Sequence, residues 1–169
     1  VNTAVGESTF QFRSVFVNTL WPIWAVGFST VLSNIGSALS HWYSGKLIKK
    51  FGAFRLMLIA SIYGKIINIG AVAVATIVSP ILLSTTSLFH GTNTVARSKL
   101  MQKEFTDEQR STLGSINSFM GSLAFGIFAV LLGIFADKFG SMKALLFAYI
   151  ISLPTVILHW NLFKGNRDE

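Results

Sequence analysis

The sequence contains no cysteine, which excludes disulfides, zinc–thiolate sites and thiol catalysis. It is also short of charge: Asp, Glu, Lys and Arg make up 12% of its 169 residues, about half the roughly 25% that a soluble domain carries. Proline is scarce, three residues against 14 glycines, and glycine is commoner in membrane helices than in soluble ones. There is no His-x-x-x-His pair, no phosphate-cradling glycine loop with Lys-Ser/Thr, and no Gly-x-Ser-x-Gly elbow. The chain therefore does not read as an enzyme, and neither a cofactor nor a metal is expected.

What is abundant is apolar. Hydrophobic residues make up 51% of the chain and include fifteen Phe and four Trp, and the mean hydropathy is +0.58. This composition points to an all-α polytopic membrane helical bundle, since spanning the hydrocarbon takes about 20 helical residues per crossing. The net charge of +7 would suggest nucleic acid in a soluble chain. Here the basic residues sit in short clusters between apolar runs, where they orient helices in the bilayer. The expected surroundings are lipid, with no nucleic acid as partner.

Five apolar segments are long enough to be considered spans: 24–45, 54–78, 80–96, 111–135 and 141–163. A more polar stretch over 1–18 reads as the partial end of a helix that lines water or leaves the membrane. Trp21, Pro22 and Trp24 follow it as an interfacial turn. The 80–96 segment qualifies only if one face meets protein or water. Of the 14 Lys and Arg, ten lie in 45–55, in 97–110 and in the tail, whereas Arg13, Lys138 and Lys143 lie on the other side. The positive-inside rule puts the ten, and the C-terminus, in the cytoplasm of a multi-pass cell-membrane protein. In the 97–110 loop, Thr106 followed by Gln109 reads as a capping box that opens the next helix.

An internal repeat joins these spans. Gly45, Lys50, Phe51, Gly52 and Arg55 align with Gly133, Lys138, Phe139, Gly140 and Lys143, and the register carries on to Leu58, Ala60 and Ile62 against Leu146, Ala148 and Ile150. Each copy is a turn too short to hold anything else, with glycine suited to a left-handed helix end. Three spans separate the copies, so they face opposite sides of the membrane, as in a 3+3 inverted repeat. The repeat makes the stretch before Trp21 a sixth helix, the partner of 80–96. Opening with Val1 in mid-pattern, the chain reads as lacking an N-terminal part.

Gly133, Asp137, Gly140 and Lys143 together resemble the loop motif of the major facilitator superfamily, and Gly45, Gly52 and Arg55 resemble the same motif between that family's eighth and ninth helices. Lys103 to Ser111, followed by a Gly/Ser-rich span, is similar to its link between helices ten and eleven. The resemblance covers nearly the whole chain as the C-terminal six-helix half, five full helices plus a truncated first one. It implies a missing N-terminal six-helix half as partner. Lys49 stands where the motif's acid would be, which puts a cytoplasmic acid–base latch in doubt.

Polar groups in hydrocarbon are costly unless satisfied, so intramembrane ones are functional candidates. Thr86, His90, Asn93 and Arg97 recur at helical spacing and share one face. They either line a water-filled path or hydrogen-bond neighbouring helices. His90, with an ordinary pKa near 6.5, would suit a proton carrier. Asn34 and His41 share a face beside Ser33, Ser37, Ser40 and Ser44, and a serine ridge of this kind favours close packing. Packing is likewise the expectation for the stripe Ser111, Ser115, Ser118, Ser122, Gly126, Ala129 and Gly133, with Asn117 on a second face able to meet substrate. Lys65, deep in 54–78, either pairs, snorkels or contributes to ion coupling, with the structural readings preferred. His159 and Trp160 read as an interfacial anchor. No acid lies deep in a complete span, so any proton coupling falls to His90, to Arg13 or to the missing half.

The function expected is a secondary active transporter that moves a small solute by alternating access, with proton-coupled efflux as one option. Efflux of drugs or metabolites is slightly preferred to sugar import because acids and carboxamides are few. The alternative is a non-transporting integral membrane protein, an assembly subunit or sensor, on the same fold.

Overall fold

A computed structural model describes residues 2–104 and 106–165, and every regular element in them is helical. Phe105 and Arg167 lie outside the described residues, as do the side chains of Lys103 and Arg110. The elements are α1 (Asn2–Val17), α2 (Ile23–Phe51), α3 (Ala53–Val74), α4 (Ser79–Thr85), a 3-10 turn (Thr86–Phe89), α5 (His90–Glu104), α6 (Asp107–Phe139), α7 (Ser141–Ile151) and α8 (Pro154–Gly165). Among the described residues, four stretches are long and apolar enough to cross a membrane, namely Ile23–Phe51, Ala53–Val74, Ser111–Phe139 and Ser141–Gly165. They are the signature of a membrane-embedded protein.

The fifth expected span, 80–96, is instead α4, the tight turn and the start of α5. The run Ser84-Thr85-Thr86 explains the interruption. Ser84 Oγ donates to the Pro80 carbonyl at 2.9 Å, and Thr85 and Thr86 Oγ1 donate to the Leu82 and Leu83 carbonyls at 2.7 Å each. Side-chain bonds of this kind compete with the backbone ladder and tighten it. The last span is also broken. Pro154 has no N–H to continue α7, and 3.0 and 3.2 Å turn bonds from Leu153 N to Ile150 O and from Thr155 N to Ser152 O carry the chain into α8. The capping box is present: Gln109 N donates to Thr106 Oγ1 at 3.5 Å, and Thr106 N donates to Gln109 Oε1 at 3.1 Å.

Gly52 and Gly140 each end one helix and begin the next, a corner of a single residue. Their torsions nearly coincide at φ 81°, ψ 151° and φ 88°, ψ 154°. The expected left-handed helical conformation is therefore replaced by one with positive φ and extended ψ, a region essentially reserved for glycine. This geometry lets the Gly52 N–H close α2 on the Ile48 carbonyl at 3.0 Å while the Gly52 carbonyl accepts from Leu56 N at 3.3 Å; Gly140 does the same with Ala136 and Ala144 at 2.7 and 3.1 Å.

Contacts along the rods set their directions. Ser84 Oγ reaches the Ser29 carbonyl, Ser40 Oγ meets Thr92, and Ile48 packs with Ala96, so α2 runs parallel to α4–α5. Ser8 Oγ reaches the Phe125 carbonyl, and Phe12 packs with Phe128 against Leu132, so α1 runs parallel to α6. Ser61 pairs with His159, Lys65 with Ser152, and Val72 clusters with Leu145, so α3 runs antiparallel to α7–α8. Antiparallel α3 and α7–α8 place the Gly52 and Gly140 corners at opposite ends of the bundle. Toward the Gly140 end Phe16, Val72, Leu83, Leu145 and Tyr149 form a buried cluster where α1, α3, α4 and α7 meet.

Lipid is as apolar as leucine, so helix pairs are held by close packing rather than by water exclusion. The buried edge of α2 fits that requirement: Ala25, Ser29, Ser33, Gly36, Ser40 and Ser44 are all small. The serine ridge thus packs as expected. The small-residue stripe of α6 does not. Ser111, Ser115, Ser118, Ser122 and Gly126 are exposed along a helix that the rest of the described bundle leaves largely uncovered.

Candidate functional site

Exposed polarity is unevenly distributed over the helices. Midway along α3 and α7–α8 the exposed side chains are apolar, among them Ile59, Ile62 and Ile66 on one and Phe147, Ile150 and Ile157 on the other. The exposed polar groups belong to the other rods: Glu7, Gln11 and Ser14 on α1, Thr30, Asn34 and His41 on α2, His90, Thr94 and Arg97 on α5, and Asn117 on α6. Midway along the bundle the exposed polar side chains thus lie on α1, α2, α5 and α6, mixed on α2 and α6 with exposed apolar ones such as Phe28, Val31, Phe119 and Ile127, whereas α3 and α7–α8 expose apolar ones there.

Arg13 is the polar hub of the interior. Its Nε donates to Tyr149 Oη at 3.0 Å, Nη1 to the Leu83 carbonyl at 3.3 Å and to Thr86 Oγ1 at 3.2 Å, and Nη2 to Asn68 Oδ1 at 2.7 Å. All four acceptors are neutral and come from α3, α4, the 3-10 turn and α7. The planar fork of five donors suits this divergent set in a way that a lysine ammonium would not. Arg13 and Thr86, both picked out as path residues, are thus brought together, and they tie four elements at the point where the helix between Ser79 and Glu104 tightens.

A second polar rung lies below the hub. Lys65 donates to Ser152 Oγ, which donates in turn to the Tyr149 carbonyl at 2.7 Å. Ser152 closes α7, two residues before the Pro154 break. One turn further, Ser61 and His159 share a hydrogen bond, which ties His159 into the α3–α8 seam. The exposed Trp160 lies against Phe163, 6.1 Å between ring centroids. Sequence reasoning missed Asn68, Tyr149 and Ser152. The spacing Ser61, Lys65, Asn68 on one face of an apolar helix was a readable signal for the first of them.

The remaining candidates are on the polar surface. His41 and His90 face each other with ring centroids 5.9 Å apart. Arg97 Nη2 donates to Asn117 Oδ1 at 3.4 Å, joining α5 to α6. Asn34 is exposed on α2, and Asn93 is half-buried on α5. Of the loop-motif residues, Gly52 and Gly140 make the corners. Arg55, Asp137 and Lys143 are exposed beside them, and Gly45 and Gly133 are helical with open space where a Cβ would sit. Gly91 was also missed: a Cβ there would lie 2.4 Å from His41 N and 2.7 Å from its Cα. No group of three or more His, Cys, Asp or Glu comes together among the described residues. No family model, curated protein or solved structure matches the chain.

Proposed function

We propose that the chain is one half-bundle of a secondary transporter that moves a small solute by alternating access, built on the plan of the major facilitator superfamily. The segregation of exposed polarity carries this reading. A path for a polar solute needs polar side chains within reach of it, and those exposed midway along the bundle sit on α1, α2, α5 and α6, mixed on α2 and α6 with exposed apolar ones, while α3 and α7–α8 present isoleucine and phenylalanine there.

The packing supports a 3+3 inverted repeat. Exchanging α1 with α4–α5, α2 with α6, and α3 with α7–α8 carries the parallel α2/α4–α5 pair onto the parallel α6/α1 pair and the α3/α7–α8 seam onto itself. The same exchange carries Gly52 onto Gly140, with matching torsions. In this reading the segment Ser79–Glu104 is the fifth crossing, polar because it faces the path, and its tight turn is where the Arg13 hub holds it. The uncovered small-residue stripe of α6 gives a second half-bundle a surface to seat on, and solute would bind between the halves. The basic clusters put the Gly52 corner and the C-terminus in the cytoplasm.

Proteoliposomes of the complete protein test the reading with a panel of radiolabelled organic solutes. Saturable movement driven by a solute or proton gradient is the expected result. Flux that rises linearly with concentration would indicate a channel, and no flux with any solute would leave a non-transporting membrane protein.

A further inference from the structure

We propose that His41 and His90 together bind one divalent transition-metal ion, of the zinc or copper class, across the contact between α2 and α5. Three observations carry this assignment. The first is separation. With a metal–nitrogen bond of about 2.0–2.1 Å and the nitrogen about 1 Å from its ring centre, two imidazoles on one ion have centroids about 5–6.5 Å apart. The observed 5.9 Å falls in that interval.

The second is orientation. His41 Nδ1 lies 2.9 Å from the Ser37 carbonyl, an oxygen that can only accept, so Nδ1 carries the proton and the Nε2 lone pair of the neutral ring is free. A ligating histidine is usually held this way, its other nitrogen donating to a backbone carbonyl or carboxylate. His90 has no hydrogen bond to its ring among the described residues, and both rings are exposed.

The third is the closeness of the backbones. Gly91, next to His90, leaves no side chain between α5 and the backbone of His41. The backbones that carry the two rings are held together by packed helices and not by loops. The protein supplies two ligands, one fewer than the three of an open catalytic zinc site, so water or solute donor atoms fill the remaining positions. The assignment rests on this geometry alone and stands or falls independently of transport.

The test uses Cu²⁺, which tops the affinity order of the divalent series, added to the protein in lipid nanodiscs. Electron paramagnetic resonance should show one bound ion per chain with hyperfine splitting from two imidazole nitrogens. His41→Gln and His90→Gln should each weaken binding at least tenfold, the double variant should be little worse than either single one, and His159→Gln should bind like the parent. Helical circular dichroism and a single elution peak confirm that each variant folds. Should one single variant fail that check, the nitrogen count in the parent and the other single variant still decide. Parent-like binding in a folded single variant, a one-nitrogen spectrum, or loss of binding in His159→Gln would overturn the assignment.

Discussion

At the residue scale, magnitudes decide between two intramembrane cations. A lysine at the centre of a span costs about 2.5–3.5 kcal/mol on insertion scales, while one interhelical hydrogen bond returns about 0.6 kcal/mol on average. Lys65 has the single bond to Ser152, so Lys65→Met should raise the unfolding free energy in detergent by about 1–3 kcal/mol. Arg13 makes four bonds, each charge-assisted and therefore stronger than a neutral one. Its removal takes the charged donor from Asn68 Oδ1 and Tyr149 Oη, while the Leu83 carbonyl keeps its bond from Thr86 Oγ1, and a buried group left unsatisfied costs about 1–3 kcal/mol. Arg13→Met should accordingly lower stability, and the opposite signs of the two substitutions in one denaturation assay are the check. Glycine divides in the same way. Gly91→Ala drives a Cβ into the His41 backbone and should cost about 1–3 kcal/mol. Gly36→Ala meets Ser87 Cβ at 3.4 Å, an ordinary contact, and should be close to neutral.

At the element scale, the corners and the breaks shape the bundle. Gly52 and Gly140 have nothing within 4 Å of where a Cβ would lie, so their requirement is backbone torsion, not space. Substitution by Ala should cost about 1–3 kcal/mol at each corner. Gly45 and Gly133 belong to the same motif but are helical and open, and Ala there should be neutral or stabilising by up to about 1 kcal/mol. Thermal unfolding of the four variants separates the two classes. The 3-10 turn and the Pro154 break mark where the two cations bond: Thr86 Oγ1 and the Leu83 carbonyl accept from Arg13, and Ser152 Oγ accepts from Lys65.

At the scale of the whole molecule, the polar side chains exposed midway along the bundle belong to α1, α2, α5 and α6, and two matching corners lie at its opposite ends. The absence of cysteine allows a clean test, because any introduced thiol is the only one. Single cysteines replacing Lys49 and Lys138 should react with a membrane-impermeant maleimide from opposite sides of the bilayer. In nanodiscs, Asn34→Cys and Asn117→Cys should label readily, and Ile62→Cys and Ile150→Cys only slowly. Labelling of both corners from one side would remove the inverted repeat, and equal labelling of all four mid-bundle positions would remove the polar path.

The sequence by itself determined the elements that hydropathy and turn chemistry control. Four long apolar stretches, the glycine corners after Phe51 and Phe139, the Thr106 capping box and the packing role of the serine ridge on α2 were all legible. Each depends on residues within a turn or two of one another, or on the bulk preference of a segment for lipid. What only the tertiary structure decided is partnership. Arg13 reaches Asn68, Thr86 and Tyr149 across 55, 73 and 136 residues of chain, and Lys65 reaches Ser152 across 87. No periodicity carries that information, because which faces meet depends on how several rods cross. The same holds for His41 and His90, set 5.9 Å apart by a glycine whose importance lies in a backbone belonging to another helix.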